Sequence, residues 1–310
     1  MALTLVEAAK GESNVFTRGV IETFIDGVRL AQVVPYRPIG GALDGIERES
    51  VLPDVANRAV NEAFTASEGK SEEIIQALKI TGGDIGIDPF ILKTKGADRA
   101  AAQVALKIKA ISNKWITDFF KGDSAVDARD FDGLQIRTTE IVEATAGTPT
   151  NGGDALELVQ LDEAILRCHG AKYLAMSRKM MILLNNASRT TTVGGFVRWE
   201  RNDFGVVVMK YGDLEIIPIS DTSNNDNVLT FTEIGAGGST ATATSVYVFG
   251  VGDEGVEGIE NGGFQVRNLG EDNTAPREDT RVEWYNNFQV NHPRSVIRVR
   301  GILNAAVVAA

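Results

Sequence analysis

The segment from residue 33 to residue 72 constrains the fold more than any other part of the sequence, because it has few apolar residues of its own. Short pieces such as Ile46–Leu52 alternate apolar and polar residues, which favours strands over helix. Prolines and glycines separate these pieces, at Pro35, Pro38, Gly40, Gly41 and Pro53. We therefore predict that this segment forms a long two-stranded β-ribbon. Such a ribbon is marginal in water unless another surface, which can belong to a second subunit, covers it.

The first 32 residues are predicted to form short helices on an extended arm. Apolar residues recur there at roughly helical spacing, but Gly11, Gly19 and Gly27 interrupt the pattern. We expect the arm and the ribbon to lie over neighbouring subunits, since the N-terminal third has too few apolar residues to close a core alone. Deleting residues 1–32 would then abolish assembly and leave soluble protein.

Residues Lys93 to Lys121 give the strongest helical signal in the chain, and Gly122 follows as a stop. Three lysines, at 107, 109 and 114, lie off the apolar stripe; a solvated helix face is the favoured interpretation and a specific charged contact the alternative. The stripe itself recurs at helical spacing: Ala101, Val104, Ala105, Ile108, Ile111, Trp115 and Phe119. This pattern predicts a long structural helix.

The second half of the chain mixes helices with short strands. One helix is predicted from a cap at Asp154 to Gly170, and another from Ser177 across Leu184. Residues 221–244 are rich in Gly, Ser, Thr and Asn, which predicts a polar surface loop. Apolar runs predict strands at 204–209, 214–219, 245–249, 280–290 and 296–302. The fold class is therefore α+β.

Composition limits the classes of function. The chain has 310 residues, 43% of them hydrophobic, and a formal net charge of −11. An acidic protein repels a phosphate backbone, which disfavours sequence-specific DNA binding but suits the wall of a DNA container. The single cysteine, Cys168, allows no intrachain disulfide. No signal-peptide pattern and no apolar stretch of membrane-spanning length is present, so we expect a soluble protein that is made in the cytosol.

Few residues suggest catalysis. The two histidines, His169 and His292, have neither metal-site nor triad spacing. Cys168 precedes His169 directly, and adjacent residues on a helix point about 100° apart. A thiolate–imidazole pair is therefore geometrically poor, and we predict a core cysteine beside a surface histidine.

Residues 250–255 match the pattern GxGxxG directly after a predicted strand. A dinucleotide site needs a helix next, which residues 256–263 do not predict, and Asp253 and Glu254 would repel a pyrophosphate. We interpret the match as a glycine-rich turn. A nucleotide-dependent enzyme stays as an alternative, to be tested by replacing Gly252.

Acidic clusters are interpreted as solvated turns, because none has the residue order of a calcium loop. They comprise Asp123, Asp127, Asp130 and Asp132 in one cluster and Glu271 and Asp272 in another. We predict no catalytic, cofactor-binding or metal-binding residue, and no cofactor.

The order of these pieces resembles the tailed-bacteriophage major capsid proteins with the Hong Kong 97-like (HK97-like) fold. Six local phrases carry the resemblance: Arg48–Pro53 with Asn57–Asn61, Phe131–Leu134, Tyr173–Arg178, Tyr211–Pro218, Arg281–Tyr285 and Asn291–Arg294. The resemblance implies five parts. They are an N-terminal arm (1–32), an extended loop (33–72), a peripheral domain (73–135) with a spine helix (93–121), an axial domain (136–275), and strands returning to the peripheral domain (276–310).

The resemblance also implies a function. The chain would be a non-enzymatic capsid subunit, assembling as hexamers and pentamers into an icosahedral phage head around double-stranded DNA. Its location would be the virion, after synthesis in the host cytoplasm. Expected partners are further copies of itself, a separate scaffolding protein and a portal, with a decoration protein as an open alternative and no membrane. We predict no maturation cleavage within the chain, and no asparagine partner for an isopeptide bond with Lys70 is identified. An encapsulin-like nanocompartment shell of the same fold is the alternative.

Overall fold

A computed structural model describes residues 3–5, 10, 15–95, 97–144, 153–189, 195–201, 207–220, 228–235, 240–271 and 275–308. It confirms the mixed α+β class. The helices within these residues are α1 (Val15–Gly27), α2 (Leu30–Val33), α3 (Pro89–Lys95), α4 (Ala97–Lys121), α5 (Leu134–Arg137), α6 (Leu158–Arg167) and α7 (Arg178–Ser188). A 3-10 turn covers Pro293–Ser295.

A five-stranded sheet carries the long strands of the chain. Its spatial order is β1 (Leu3–Thr4), β2 (Pro35–Pro38), β13 (Val256–Glu271), β14 (Glu278–Val290) and β5 (Lys79–Ile87). The β13–β14 and β14–β5 pairs are antiparallel, whereas β2 runs parallel to β13.

A second sheet has eight strands. Its order is β6 (Glu140–Glu143), β15 (Val296–Leu303), β12 (Ala241–Phe249), β7 (Tyr173–Ser177), β10 (Leu214–Ile219), β9 (Val207–Tyr211) and β8 (Val197–Arg201), and β11 (Glu233–Ile234) pairs with β12 off this path. A separate antiparallel hairpin is formed by β3 (Leu43–Val51) and β4 (Lys70–Ala77). We call residues 43–77 the hairpin and residues 52–69 its tip.

Aromatic packing joins α1 and α4 to the five-stranded sheet. The ring of Phe24 in α1 lies 5.8 Å from Trp115 in α4 and 5.3 Å from Trp284 in β14, measured between centroids. Phe119 in α4 lies 4.4 Å from Phe288 in β14. All five rings are buried. The predicted apolar stripe of the long helix is thus one wall of the core.

Helix α7 shows how a local signal sets an element. The Ser177 hydroxyl accepts a hydrogen bond from the Met180 N–H at 3.2 Å, which caps the first turn. Met180 and Leu184 then fall on one face and are buried against the eight-stranded sheet. This confirms the helix that was predicted from Ser177.

Three predicted boundaries of helices and loops are wrong. The long helix begins at Ala97 rather than Lys93, since a separate helix, α3, precedes it. The helix predicted from Asp154 begins at Leu158, because the Asp154 backbone instead bonds to the β15 strand. In the predicted loop 221–244, residues 228–235 are folded, with Val228 and Leu229 buried; residues 221–227 and 236–239 lie outside the described residues.

The predicted domain boundaries also differ from the sheet topology. Residue 72 lies inside β4, so the hairpin continues to Ala77. Strand β13 lies in the five-stranded sheet rather than with the axial segment 136–275, because its long ladder with β14 buries Trp284. The closing strand β15 lies in the eight-stranded sheet. No helix among the described residues is long and apolar enough to span a membrane.

Candidate assembly surfaces

The hairpin carries several large apolar side chains that no other described part of the chain covers. No residue from 37 to 84 is buried among those whose exposure is described. Large apolar side chains are exposed along the whole hairpin: Leu43, Val51, Leu52, Val55, Val60, Phe64 and Ile75. Many exposed large apolar side chains on one projecting element make that element a candidate interaction site. The hairpin is therefore the candidate assembly surface, and it agrees with the predicted core-poor ribbon.

The N-terminal segment does not behave as predicted. Helix α1 packs on its own subunit, where Val20, Ile21 and Phe24 enter the core together with Val28 and Leu30. The phenyl ring of Phe24 is fully buried. This part of the segment thus belongs to the core of its own chain, so it is not a free arm; that the segment also covers a neighbour stays a prediction. Residues 1–2, 6–9 and 11–14 lie outside the described residues.

The glycine-rich loop at 250–255 is the point where the chain crosses from one sheet to the other. Strand β12 ends just before it and β13 begins just after it. The Gly250 N–H donates to the Ser295 carbonyl at 2.9 Å, and the Gly255 N–H to the Gly252 carbonyl at 2.8 Å. A phosphate site needs free amides and a following helix. Here the N–H groups of all three glycines of the loop bond within the protein and a strand follows, which does not fit the nucleotide-binding alternative.

Cys168 and His169 point to different surroundings, as predicted. The Cys168 thiol is buried within 3.4 Å of the Ser295 carbonyl, and burial raises its pKa to about 12. The His169 imidazole instead lies 2.9 Å from the Glu254 carboxylate, Nε2 to Oε2. The thiol is therefore inert and has no imidazole base.

The acidic turn after α4 satisfies its carboxylates locally. Asp123 accepts from the Ala125 N–H at 2.8 Å, and Asp132 accepts from the Ser124 N–H at 2.9 Å. No group of three or more metal-ligating side chains stands together in the described part of the chain. Glu271 is described and Asp272 is not.

Lys114, one of the three lysines assigned to a solvated helix face, has specific partners. Its Nζ donates to Asp118 at 2.7 Å and to Asp130 at 2.8 Å. Lys109 is exposed and Lys107 half-buried. The charged-contact alternative therefore describes Lys114, where α4 meets the acidic turn.

Both histidines lie together beside the hairpin, an arrangement that the sequence did not predict. The His169 and His292 rings are 4.8 Å apart, centroid to centroid. Burial lowers the pKa of His292 from its ordinary value of 6.5, as do His169, Arg48 and Arg294, while Glu254 raises it. The two residues are 123 positions apart in sequence, so no local pattern could have paired them.

We expect acid to destabilise the folded chain through His292. The unfolded chain binds this proton more readily, so stability is lost as the pH falls through and below the ordinary value of about 6.5. His292→Asn, which can still cap the turn at Pro293, should lose less stability than the wild type. The measurement is the urea midpoint at about pH 7.5 and about pH 5.5. An equal loss in both proteins would contradict the assignment.

Comparisons with known proteins identify the fold. No family model matches the sequence, and no curated protein matches it. A chain of the holo-SrpI encapsulin complex from Synechococcus elongatus superposes with a TM-score of 0.67 at 14% identity, over 100% of this chain and 99% of that one. The chain has the HK97-like capsid fold. A chain from Mycobacterium phage Bobi gives 0.60 at 11% identity, over 92% and 91%.

The same fold extends to a third kind of particle. The capsid of a native GTA particle gives a TM-score of 0.54 at 11% identity, over 87% of this chain and 89% of that one. The resemblance predicted from the sequence phrases is thus confirmed as to fold. One of these neighbours comes from an encapsulin complex and another from a capsid. The expectation of a non-enzymatic chain stays a prediction.

Proposed function

We propose that this chain is a shell subunit that self-assembles through its hairpin into a closed particle. The observation that carries the proposal is the uncovered hairpin, in which no residue of described exposure is buried and at least seven large apolar side chains are exposed. Burying apolar area contributes about 25 cal/mol per Å². Assembly therefore stabilises a part of the chain that is exposed to solvent in the isolated subunit.

The finer form of the proposal is a phage head. In it the subunits form hexamers and pentamers in an icosahedral capsid that encloses double-stranded DNA, with scaffolding, portal and decoration proteins as further partners. The short sequence motifs that resemble phage capsid proteins support this form. So does the net charge of −11, since a wall that bound every phosphate would obstruct packing and release of DNA. The location is then the virion.

An encapsulin-like shell is the second candidate, because the encapsulin chain matches over 100% of this chain. Particles isolated from the source organism distinguish the two. Nuclease-protected double-stranded DNA inside them supports the phage head. A co-purifying protein inside particles that lack nucleic acid supports the encapsulin-like shell.

Self-assembly is tested by electron microscopy and size-exclusion chromatography of the purified chain, alone and co-expressed with a scaffolding candidate. Closed shells, or rings of five and six subunits, are the expected result. A monodisperse monomer under both conditions would contradict the proposal.

A triple substitution of the hairpin tip tests the proposed surface. Val55, Val60 and Phe64 are 91%, 90% and 64% exposed, so changing all three to serine should leave the subunit folded. Burial of one such side chain is worth about 1.5–3 kcal/mol, and 1.4 kcal/mol is about tenfold in an equilibrium. We expect the concentration needed for assembly to rise by more than about tenfold. Val126→Ser, at 85% exposure outside the hairpin, is the control; an equal effect there would argue against the tip.

A further inference from the structure

The hairpin joins its subunit through a narrow neck, formed by residues 39–42 on one side and Leu78 on the other. The flanking strands β2 and β5 both belong to the five-stranded sheet, whereas the hairpin forms a sheet of its own. A backbone hydrogen bond crosses the neck from the Leu78 N–H to the Ala42 carbonyl, at 2.9 Å. Two short connections leave the hairpin free to pivot unless other contacts fix its direction.

Apolar packing does not fix that direction. No described residue of the hairpin is buried, and Leu43 and Ile75, which lie near the neck, are exposed. Ile46 and Ile74 are only half-buried, so the direction depends in large part on polar contacts between the hairpin and the five-stranded sheet.

Arg37 makes the central polar contact. This residue lies in β2, and its Nη2 donates to Asp44 in the hairpin while its Nε lies 3.3 Å from Oε2 of Glu257 in β13. The Glu257 carboxylate is buried and also accepts from Gln289 Nε2 in β14 at 3.0 Å. Burial opposes the charge on Arg37, but the two carboxylates outweigh it and raise the pKa of the guanidinium. The planar guanidinium of Arg37 thus connects the hairpin to the buried Glu257 carboxylate of the five-stranded sheet.

Two further contacts act on either side of the neck. Arg48 in β3 donates through Nη2 to the Val290 carbonyl at 2.8 Å. Asn287 in β14 donates through Nδ2 to the Ala77 carbonyl at 2.7 Å. Both use backbone carbonyls as acceptors, so Arg37 is the contact in which side chains of both partners can be altered separately.

We propose that Arg37 is a positioning residue, which fixes the direction of the hairpin by holding Asp44 and Glu257 on one guanidinium. The effect on shell geometry rests on the proposed function. In that function the direction of the hairpin sets the angle at which it contacts a neighbouring subunit. Breaking the contact between Arg37 and Asp44 should therefore alter the geometry of assembly more than the folding of the subunit.

The positioning role is tested on the full chain by double electron–electron resonance spectroscopy. This method measures the distance between spin labels at Ala56→Cys in the tip and Gln103→Cys in α4. The buried thiol of Cys168 does not compete for the label, because its pKa is raised to about 12. Labelled chains are diluted with unlabelled chains to remove distances between subunits. We expect a narrow distance distribution in the parent protein and a shifted, broader one in Arg37→Met.

Asp44→Asn is the second variant, since it leaves the buried Glu257 paired with Arg37 and keeps the test valid if Arg37→Met folds poorly. Arg37→Lys should restore only part of the narrow distribution, because an ammonium does not have the fork that reaches both carboxylates. The control is Arg129→Met, an exposed arginine paired with Asp127 outside the neck. Distributions in Arg37→Met and Asp44→Asn as narrow as the parent's, or equal broadening in the control, would overturn the proposal.

The assembly readout separates this inference from the proposed function. Particle diameters measured by electron microscopy should become heterogeneous in Asp44→Asn while the urea midpoint stays close to the parent's. A parent chain that never forms shells would refute the proposed function, yet the distance measurement would still decide the role of Arg37. Uniform particles of parental diameter from a variant with a broadened hairpin distribution would overturn the link to assembly geometry.

Discussion

Replacing Phe24 by alanine is expected to lower the free energy of unfolding by about 3–5 kcal/mol, the usual cost of deleting a buried phenyl ring. The ring is fully buried and touches three aromatic partners, with Phe264 at 5.0 Å in addition to Trp115 and Trp284. Its loss leaves a cavity where α1, α4 and the five-stranded sheet meet, and large rigid rings cannot collapse into it. Urea unfolding of the purified chain, followed by tryptophan fluorescence, measures the change.

Phe90→Ala is the matched control for Phe24→Ala. Phe90 is 72% exposed in α3, so the same chemical change there should leave the urea midpoint nearly unaltered. Comparable losses at both positions would show that α1 does not pack as described. The same packing implies that deleting residues 1–32 yields an unfolded or aggregated chain, rather than the soluble protein that the sequence suggested.

The sequence predicted best where the local signal and the tertiary packing agree. Strand β10 was predicted at its observed bounds, 214–219, because its apolar run is central in the eight-stranded sheet. Helix α4 ends at Lys121 as expected, and the reason is visible at Gly122. A Cβ at Gly122 would lie 2.2 Å from the Phe131 carbonyl oxygen, so the returning acidic turn requires glycine there.

Strand β13 shows where local signals mislead. No strand was predicted for its glycine-containing start, but Gly258 is a packing site: a Cβ there would lie 2.4 Å from the ring of Tyr36 in β2. Gly262 and Gly263 have φ angles of 75° and 63° and lie at a shift in the ladder with β14. A bulge and a close approach use glycine as readily as a turn does.

Buried polar side chains could not be predicted from local sequence patterns either, because their hydrogen-bond partners are distant in sequence. Glu260 in β13 is buried and accepts from Trp284 Nε1 at 2.8 Å, and burial raises its pKa. In the sequence this glutamate stands among glycines and looks like a surface residue. The candidate assembly surface was easier to predict, since residues 33–72 alternate like strands, are interrupted by Pro and Gly, and have too few apolar residues to close a core of their own.

A buried ion pair between β11 and β15 gives the second large effect. Arg298 Nη2 donates to Glu233 Oε2 at 2.8 Å, Arg298 Nε donates to the Ser245 hydroxyl at 2.9 Å, and Ser245 also donates to Glu233. Both charged side chains are less than 9% exposed. Removing one partner leaves a buried charge without compensation, so Arg298→Met should cost about 3–5 kcal/mol of stability, measured by urea unfolding.

The double variant Arg298→Met with Glu233→Leu should recover most of that loss, because apolar side chains of similar volume replace the pair without leaving a charge behind. A large coupling between the two substitutions is therefore expected in the double-mutant cycle. Arg281→Met is the control: its exposed pair with Asp84, at 2.7 Å, is screened by solvent and should matter far less. If the double variant were as unstable as Arg298→Met, the loss would come from the contact of the Arg298 guanidinium with the Tyr247 ring rather than from the unpaired carboxylate.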